Sequence, residues 1–362
     1  MAKDIYGITP IVSGLNNQRI ALLGLIGIAH LEGAKVSLPK TLVDYTPLPQ
    51  DQTPKEHPTL PFDAVFDEAH LRQGLQAYDI FSDEAATEIL PHDDCFRIGS
   101  EYLSALAGSH GDAQIVADFL KFCRAAPELR DVAKKALALA GDQPPLMLQL
   151  RIERDWRDYL LRRPHRSDDG ETTVDPRRIF GKIGNTPALA DHRLVLACCD
   201  EGDLLQTRDE LKKDAADFEL NLVFKSEIEE QLELPTSRLQ RSAIDFEMCL
   251  MSDRYVGLTR SSFSNMVCLL KSLQMSPDIP EHYIYNSKSR EVVRRWDMGL
   301  RTGPAEAAEQ VPVGKPATGK TWAQHEMKRQ RLKAASDLVA LRRAKNGQID
   351  EYKRKLRQLG EL

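Results

Sequence analysis

The feature that most constrains this chain is an alternation of short apolar runs with amphipathic segments, which begins abruptly after Gly141-Asp142-Gln143-Pro144-Pro145. Leu146–Leu150, Arg193–Cys199, Leu220–Phe224 and Tyr255–Leu258 read as buried strands. Helical spacing falls between and after them at Arg178–Ile183, Asp203–Lys213, Ala243–Met251 and Phe263–Leu273. Near-continuous apolar strands separated by helices require a parallel sheet covered on both faces. A fainter version precedes it: a strand over Ile5–Val12, a turn at Ser13–Asn17, a helix over Gln18–Leu31 and a strand over Lys35–Pro39. A polar, proline-rich loop over Thr41–Pro61 follows, then helical periodicity at Glu68–Leu75, Tyr102–Leu106, Ala113–Cys123 and Leu129–Ala140.

A chain of 362 residues is long enough for two such units. The expected division is residues 1–143, residues 144–300, and a linker with a basic helical tail over 301–362. Residues 315–362 carry 13 basic against 5 acidic side chains, while the whole chain has net charge −5, which argues against nucleic-acid binding. The longest apolar run, Ile20–Ala29, is half the length a bilayer span needs, about 20 residues. Six scattered cysteines (Cys95, Cys123, Cys198, Cys199, Cys249, Cys268) read as reduced buried thiols. With an N-terminus that lacks a charged-then-apolar leader pattern, they give an expectation of cytoplasmic placement.

Three segments carry residues suited to chemistry, each where a strand hands over to a loop or helix, the edge at which open α/β sheets bind ligands. Gly14-Leu15-Asn16-Asn17-Gln18-Arg19 offers amides and a guanidinium at a helix N-terminus; equally, Asn16 or Asn17 could be an ordinary cap. Arg151, just past the strand that ends at Gln149-Leu150, is a permanent charge in a costly place, and calls for a carboxylate or a phosphate. Glu153, at strand spacing from it, could be that carboxylate. Ser261-Ser262-Phe263-Ser264 opens a helix after the glycine-containing strand at Gly257, so that free N–H groups and hydroxyls converge there, or the serines merely cap.

Together these segments resemble the GDP-fucose protein O-fucosyltransferase-like superfamily. The opening motif stands as G-L-N-N-Q-R at 14–19, and the middle motif H-L-R-x-E as Q-L-R-I-E at 149–153. The closing pattern is Asp245 followed by G-x-x-x-S-S-F-S at 257–264, and Val65–Leu71 matches a further segment. The resemblance spans roughly 14–271. It implies an α/β protein of GT-B type, two facing Rossmann-like domains with parallel sheets. It further implies an inverting, metal-independent transfer of a deoxyhexose from a nucleotide sugar such as GDP-fucose to a glycan, lipid-linked glycan or protein hydroxyl, without a cofactor. By motif position Arg151 stabilises the departing diphosphate, Ser261, Ser262 and Phe263 hold it, Asp245 recognises the nucleoside, and Asn17 reaches the donor from the opposite domain. Asn16, Gln18 and Gln149 join the donor-binding set, and Glu153 is a candidate base. Gln149 departs from the motif's histidine and cannot relay a proton, which keeps UDP-rhamnose as an alternative donor and a non-catalytic nucleotide-sugar-binding scaffold as an alternative role.

Other patterns are weaker. Gly314–Thr321 fits G-x-x-x-x-G-K-T, but no buried strand precedes it. His92-Asp93-Asp94-Cys95 and Asp200-Glu201-Gly202-Asp203 imitate metal sites, yet the first reads as a loop cap and the second as a helix start. The basic tail is either a solvated helix or a peripheral contact with an anionic membrane or partner.

Overall fold

The computed structural model describes residues 4–45, 57–106, 112–141, 143–161, 175–228, 231–232, 234–259, 261–274 and 282–294. The expected tail, the P-loop-like segment and the linker lie outside them.

The first half opens with β1 (Ile5–Ile8), which ends before Pro10, four residues short of the expected strand. The helix α1 (Leu15–Glu32) follows. It starts three residues earlier than periodicity suggests, so Asn16, Asn17 and Gln18 form its first turn. Its N-cap is Gly14, which has no side chain to bond with, and neither asparagine caps. Gly33 closes it at φ 66°, the left-handed geometry glycine adopts without strain. Next come β2 (Lys35–Val36), then an antiparallel pair, β3 (Thr41–Val43) and β4 (Thr59–Pro61), inside the segment expected to be loop. The helix α2 (Glu68–Ala77), β5 (Glu88–Leu90) and the helices α3 (His92–Leu106), α4 (Asp112–Phe122) and α5 (Pro127–Leu139) complete this half. The His92–Cys95 cluster thus opens a helix, its acids lying in the first turn where the dipole favours them. The strands β2, β1 and β5 form a parallel sheet in that order. At the crossing of α1 and α3, a Cβ on Gly24 would lie 1.7 Å from the Cys95 carbonyl oxygen, and one on Gly99 would lie 1.9 Å from that of Ile20.

The second half runs through β6 (Leu146–Gln149), α6 (Arg154–Leu161), α7 (Pro176–Gly184), β7 (Leu194–Cys198) and α8 (Arg208–Ala216). It continues with β8 (Asn221–Phe224), α9 (Arg238–Met251), β9 (Tyr255–Gly257), α10 (Ser262–Gln274), β10 (His282–Ile284) and β11 (Val293–Arg294). Its sheet has the order β11-β10-β9-β6-β7-β8, parallel throughout except for β11.

Period-2 alternation sorts the two faces of this sheet. Leu146, Leu148, Val195, Ala197, Phe224 and Val256 pack with Ile179, Phe180 and Leu211 of α7 and α8. Met147, Leu196, Cys198 and Tyr255 face the other way, into a core that also holds α1, α3, α4, α5, α9 and α10. Residues on either side of the expected boundary near 143 therefore share one apolar core.

Candidate active site

In both sheets the chain starts on one strand, adds a neighbour on one side, and later adds another on the opposite side. The order reverses at β1 in the first sheet and between β6 and β9 in the second. Loops leaving such a switch point diverge and open a crevice at the carboxyl edge of the sheet. The Gly14–Arg19 segment follows β1. Gln149 ends β6, Arg151 follows it, and Ser261 follows β9. All three sequence segments thus sit at switch points.

The end of β9 is built around absent and shared side-chain atoms. Gly257 lacks a Cβ where Ser264 Oγ would stand 1.9 Å away. That hydroxyl instead accepts the Leu258 N–H at 3.0 Å and pairs with the Tyr255 hydroxyl at 2.8 Å. Tyr255 donates to Gln149 Oε1 at 3.3 Å, and Gln149 Nε2 donates to Ser261 Oγ at 3.0 Å. Ser261 Oγ also accepts the Ser264 N–H at 3.4 Å, capping the first turn of α10. Gln149 is buried and both ends of its amide are occupied within the protein. In this structure it holds the strand end to the serine turn. Ser262 and Phe263 are half-buried on the same turn.

Arg151 is a quarter exposed and faces two carboxylates. Its Nη1 and Nη2 donate to the two oxygens of Asp155 at 3.1 Å each, and Nη1 lies 3.0 Å from Glu153 Oε2. The guanidinium also lies over the Trp156 ring at 5.2 Å. Burial pulls its pKa down, but the two carboxylates outweigh burial and raise it above the ordinary arginine value. Glu153 is buried, and its Oε1 accepts the Asp200 N–H at 3.2 Å. Desolvation raises its pKa despite Arg151. Here it is the internal ion-pair partner of Arg151.

Asp245, on α9, is also buried, and its Oδ2 accepts from Lys225 Nζ at 2.6 Å while Oδ1 has no hydrogen-bond partner. Lys225 stands just past β8, the same strand-edge position that marked Arg151, and that signal was open to sequence reasoning. Desolvation pulls the Asp245 pKa up, whereas at Lys225 burial is outweighed by the Asp245 charge, leaving its pKa above the ordinary lysine value.

On the opposite side, Asn16 is buried and accepts from Arg19 Nη1 at 2.8 Å. Arg19 is completely buried and lies over the rings of Phe246 at 4.3 Å and Phe66 at 5.3 Å. Phe246 in turn meets Phe263 edge-on at 5.4 Å. Asn16 is thereby linked through Arg19 to α9 and the serine turn. Asn17 is half-buried in the first turn of α1. Gln18 is turned away from this set, its Nε2 donating to the carbonyls of Ser13 and Val43, both at 2.8 Å. It ties β3 to the start of α1, while its Oε1 has no hydrogen-bond partner among the described residues. No group of three or more His, Cys, Asp or Glu residues able to hold a metal occurs among the described residues, and no helix among them is long and apolar enough to cross a membrane.

No family model matches the chain. In sequence it is 28% identical over 176 residues to O-fucosyltransferase 23 of Arabidopsis thaliana. That match covers 44% of this chain and 39% of the relative, so the matched part spans about two fifths of the relative's length. In structure it is similar to POFUT1 in complex with GDP, with TM-score 0.52, 12% identity, and coverage of 77% of this chain and 97% of that one. POFUT1 in complex with GDP-fucose also matches with TM-score 0.52 and 12% identity, over 79% of this chain and 98% of the other. The structural likeness gives the α/β fold with parallel sheets. The sequence match is a likeness to an O-fucosyltransferase over less than half of the chain.

Proposed function

We propose that this chain, similar to the O-fucosyltransferase-like superfamily, is an inverting, metal-independent glycosyltransferase of GT-B type, with facing Rossmann-like halves at 1–143 and 144–300. It moves a deoxyhexose, fucose from GDP-fucose in the first instance, to a glycan, lipid-linked glycan or protein hydroxyl in the cytoplasm, without a cofactor. The observation that carries the reading is the convergence of Arg151 and the Ser261–Ser264 turn on one switch point, with Gln149 bonded to Ser261 across it.

In this reaction the acceptor oxygen attacks the anomeric carbon from the face opposite the diphosphate. The bond from that carbon to the β-phosphate oxygen breaks, its electron pair leaves with the nucleotide, and the hydroxyl proton passes to solvent or a nearby base. Negative charge grows on the leaving oxygen. A preorganised guanidinium at a low-dielectric strand edge stabilises such charge more in the transition state than in the ground state. Arg151 has that role, Ser261, Ser262 and Phe263 seat the diphosphate at the N-terminus of α10, Asp245 contacts the nucleoside, and Asn17 reaches the donor from α1. Gln149, in the histidine's place, keeps UDP-rhamnose in view as a second donor. A thermal-shift screen of the full chain with GDP, UDP and their sugar conjugates, with and without EDTA, tests the reading. GDP stabilisation that survives EDTA and disappears in Arg151→Ala supports it. UDP stabilisation moves the donor to a rhamnose-like sugar, and no response to any nucleotide leaves a scaffold.

A further inference from the structure

A cavity of about 520 Å³ opens between α7 and the segment that follows β10. That is the size of a small-molecule site. Its wall combines the Phe218 ring with the polar side chains of Asn185 and Ser289, and its charge is basic, from Arg177, Arg178, Lys182, Lys288 and Arg290 against Asp175.

These cations are not equivalent. Arg177 is neutralised by Asp214 at 3.2 Å and by Asp217, and lies over Phe218. Lys182 is buried and donates to the carbonyls of Tyr285 at 2.8 Å and Ser287 at 2.5 Å. It therefore pins the backbone that presents Lys288 and Arg290. Those two side chains are exposed and have no ion-pair or hydrogen-bond partner among the described residues, although Glu291 is next in the chain. Two exposed cations without a protein partner among the described residues, on backbone pinned by a buried third, leave this wall open to an anion.

Tyr285, which does not line the cavity, bonds to a residue of its wall and to Arg151. The carbonyl of Tyr285 accepts from Lys182, and its hydroxyl accepts the Arg151 backbone N–H at 3.3 Å. Two unpaired cations match the double charge of a phosphate better than a carboxylate. The volume exceeds what a phosphate alone fills, and an aromatic face beside amide and hydroxyl groups suits the CH face and hydroxyls of a sugar ring. We propose that this cavity binds a phosphorylated saccharide, the charged part of the acceptor; its assignment as acceptor rests on the transferase reading, whereas the binding itself does not.

The test uses the full chain without donor, titrated calorimetrically with glucose 1-phosphate, methyl glucoside and inorganic phosphate, on the wild type and on Lys288→Glu with Arg290→Glu. The expected result is binding of glucose 1-phosphate at least about tenfold tighter than either control, since tenfold corresponds to about 1.4 kcal/mol. The charge-reversed variant should lose at least about tenfold in that affinity while keeping the wild-type response to GDP. Equal binding of methyl glucoside, equal binding of inorganic phosphate, or an affinity unchanged by the double substitution would each overturn the proposal. A GDP response without glucose 1-phosphate binding sinks this site alone. Glucose 1-phosphate binding without any nucleotide response sinks the transferase reading and leaves the cavity standing.

Discussion

Removing Lys225 should destabilise the protein severely, and removing Asp245 with it should restore most of the loss. The two groups are 2.6 Å apart with about a tenth of each side chain exposed. Coulomb attraction at that distance, in an effective dielectric of about 20, is about 6 kcal/mol, most of it offset by taking both charges out of water. In Lys225→Met the carboxylate loses its only hydrogen-bond donor, since Oδ1 already has none. An unpaired buried charge of this kind costs about 3–5 kcal/mol. In Lys225→Met with Asp245→Leu neither charge remains, and the expected change is within about 1 kcal/mol of zero or stabilising. Urea unfolding of the wild type, both single variants and the double variant, followed by tryptophan fluorescence at constant m, gives the coupling energy directly. Additive effects, or a cost below about 1 kcal/mol for Lys225→Met, would refute the buried pair.

Three further outcomes follow from the geometry. Gly99→Ala should cost more than about 3 kcal/mol or prevent folding, because the new Cβ meets a backbone carbonyl oxygen at 1.9 Å and a backbone cannot yield as a side chain does; an unchanged melting temperature would contradict the α1–α3 crossing. Gln149→Leu should cost about 1–3 kcal/mol by leaving Ser261 and Tyr255 hydroxyls without their partner, and Gln149→His should lose less in both stability and GDP-induced shift. Tyr78 donates to Asp118 at 2.5 Å, and this bond, with desolvation, raises its pKa from near 10 to about 12. Its folded pKa being the higher one, the stability it contributes is complete below pH 10 and lost between about 10 and 12. Tyr78→Phe should remove that alkaline loss from the stability profile, and an identical profile would refute the bond.

How far the sequence reaches depends on the range of the interaction that decides each feature. The strands β6, β7 and β8 are legible because a strand buried on both faces must be apolar at nearly every position. β5 and β10 have three residues each and sit in polar surroundings, so nothing local separates them from loop. The start of α1 misleads because its cap is a glycine, which offers no side-chain signal. The body of α3 is hidden by Gly99 and Ser100, which interrupt its apolar stripe where α1 packs closest. Candidate site residues were legible as types at strand edges, but their bonds were not. Gln149 finds Ser261 across 112 residues and Tyr255 across 106, and only the parallel pairing of β6 with β9 brings them together. Gln18 makes the same point in reverse. Its motif position suggests a ligand, while the carbonyls of Ser13 and Val43 take both hydrogens of its amide.

Arg151 joins these arguments. Sequence alone left it between a carboxylate partner and a phosphate, and the structure supplies two carboxylates. These readings are compatible. A guanidinium that awaits an anion at a buried edge needs a countercharge meanwhile, since an unpaired one is costly to bury. Asp155 and Glu153 provide it, and they differ in how readily they let go. Glu153 is buried, with one oxygen fixed by the Asp200 N–H, so it stays. Asp155 is about a quarter exposed, on the first turn of α6, and can return to water at little cost. Under the proposed transfer, a diphosphate at Arg151 would compete with Asp155 for the same two nitrogens while Glu153 continued to orient the guanidinium. The exchange replaces one bidentate anion by another. In that proposal the competition would weaken binding, and the cation would already be in place when the leaving group's charge developed.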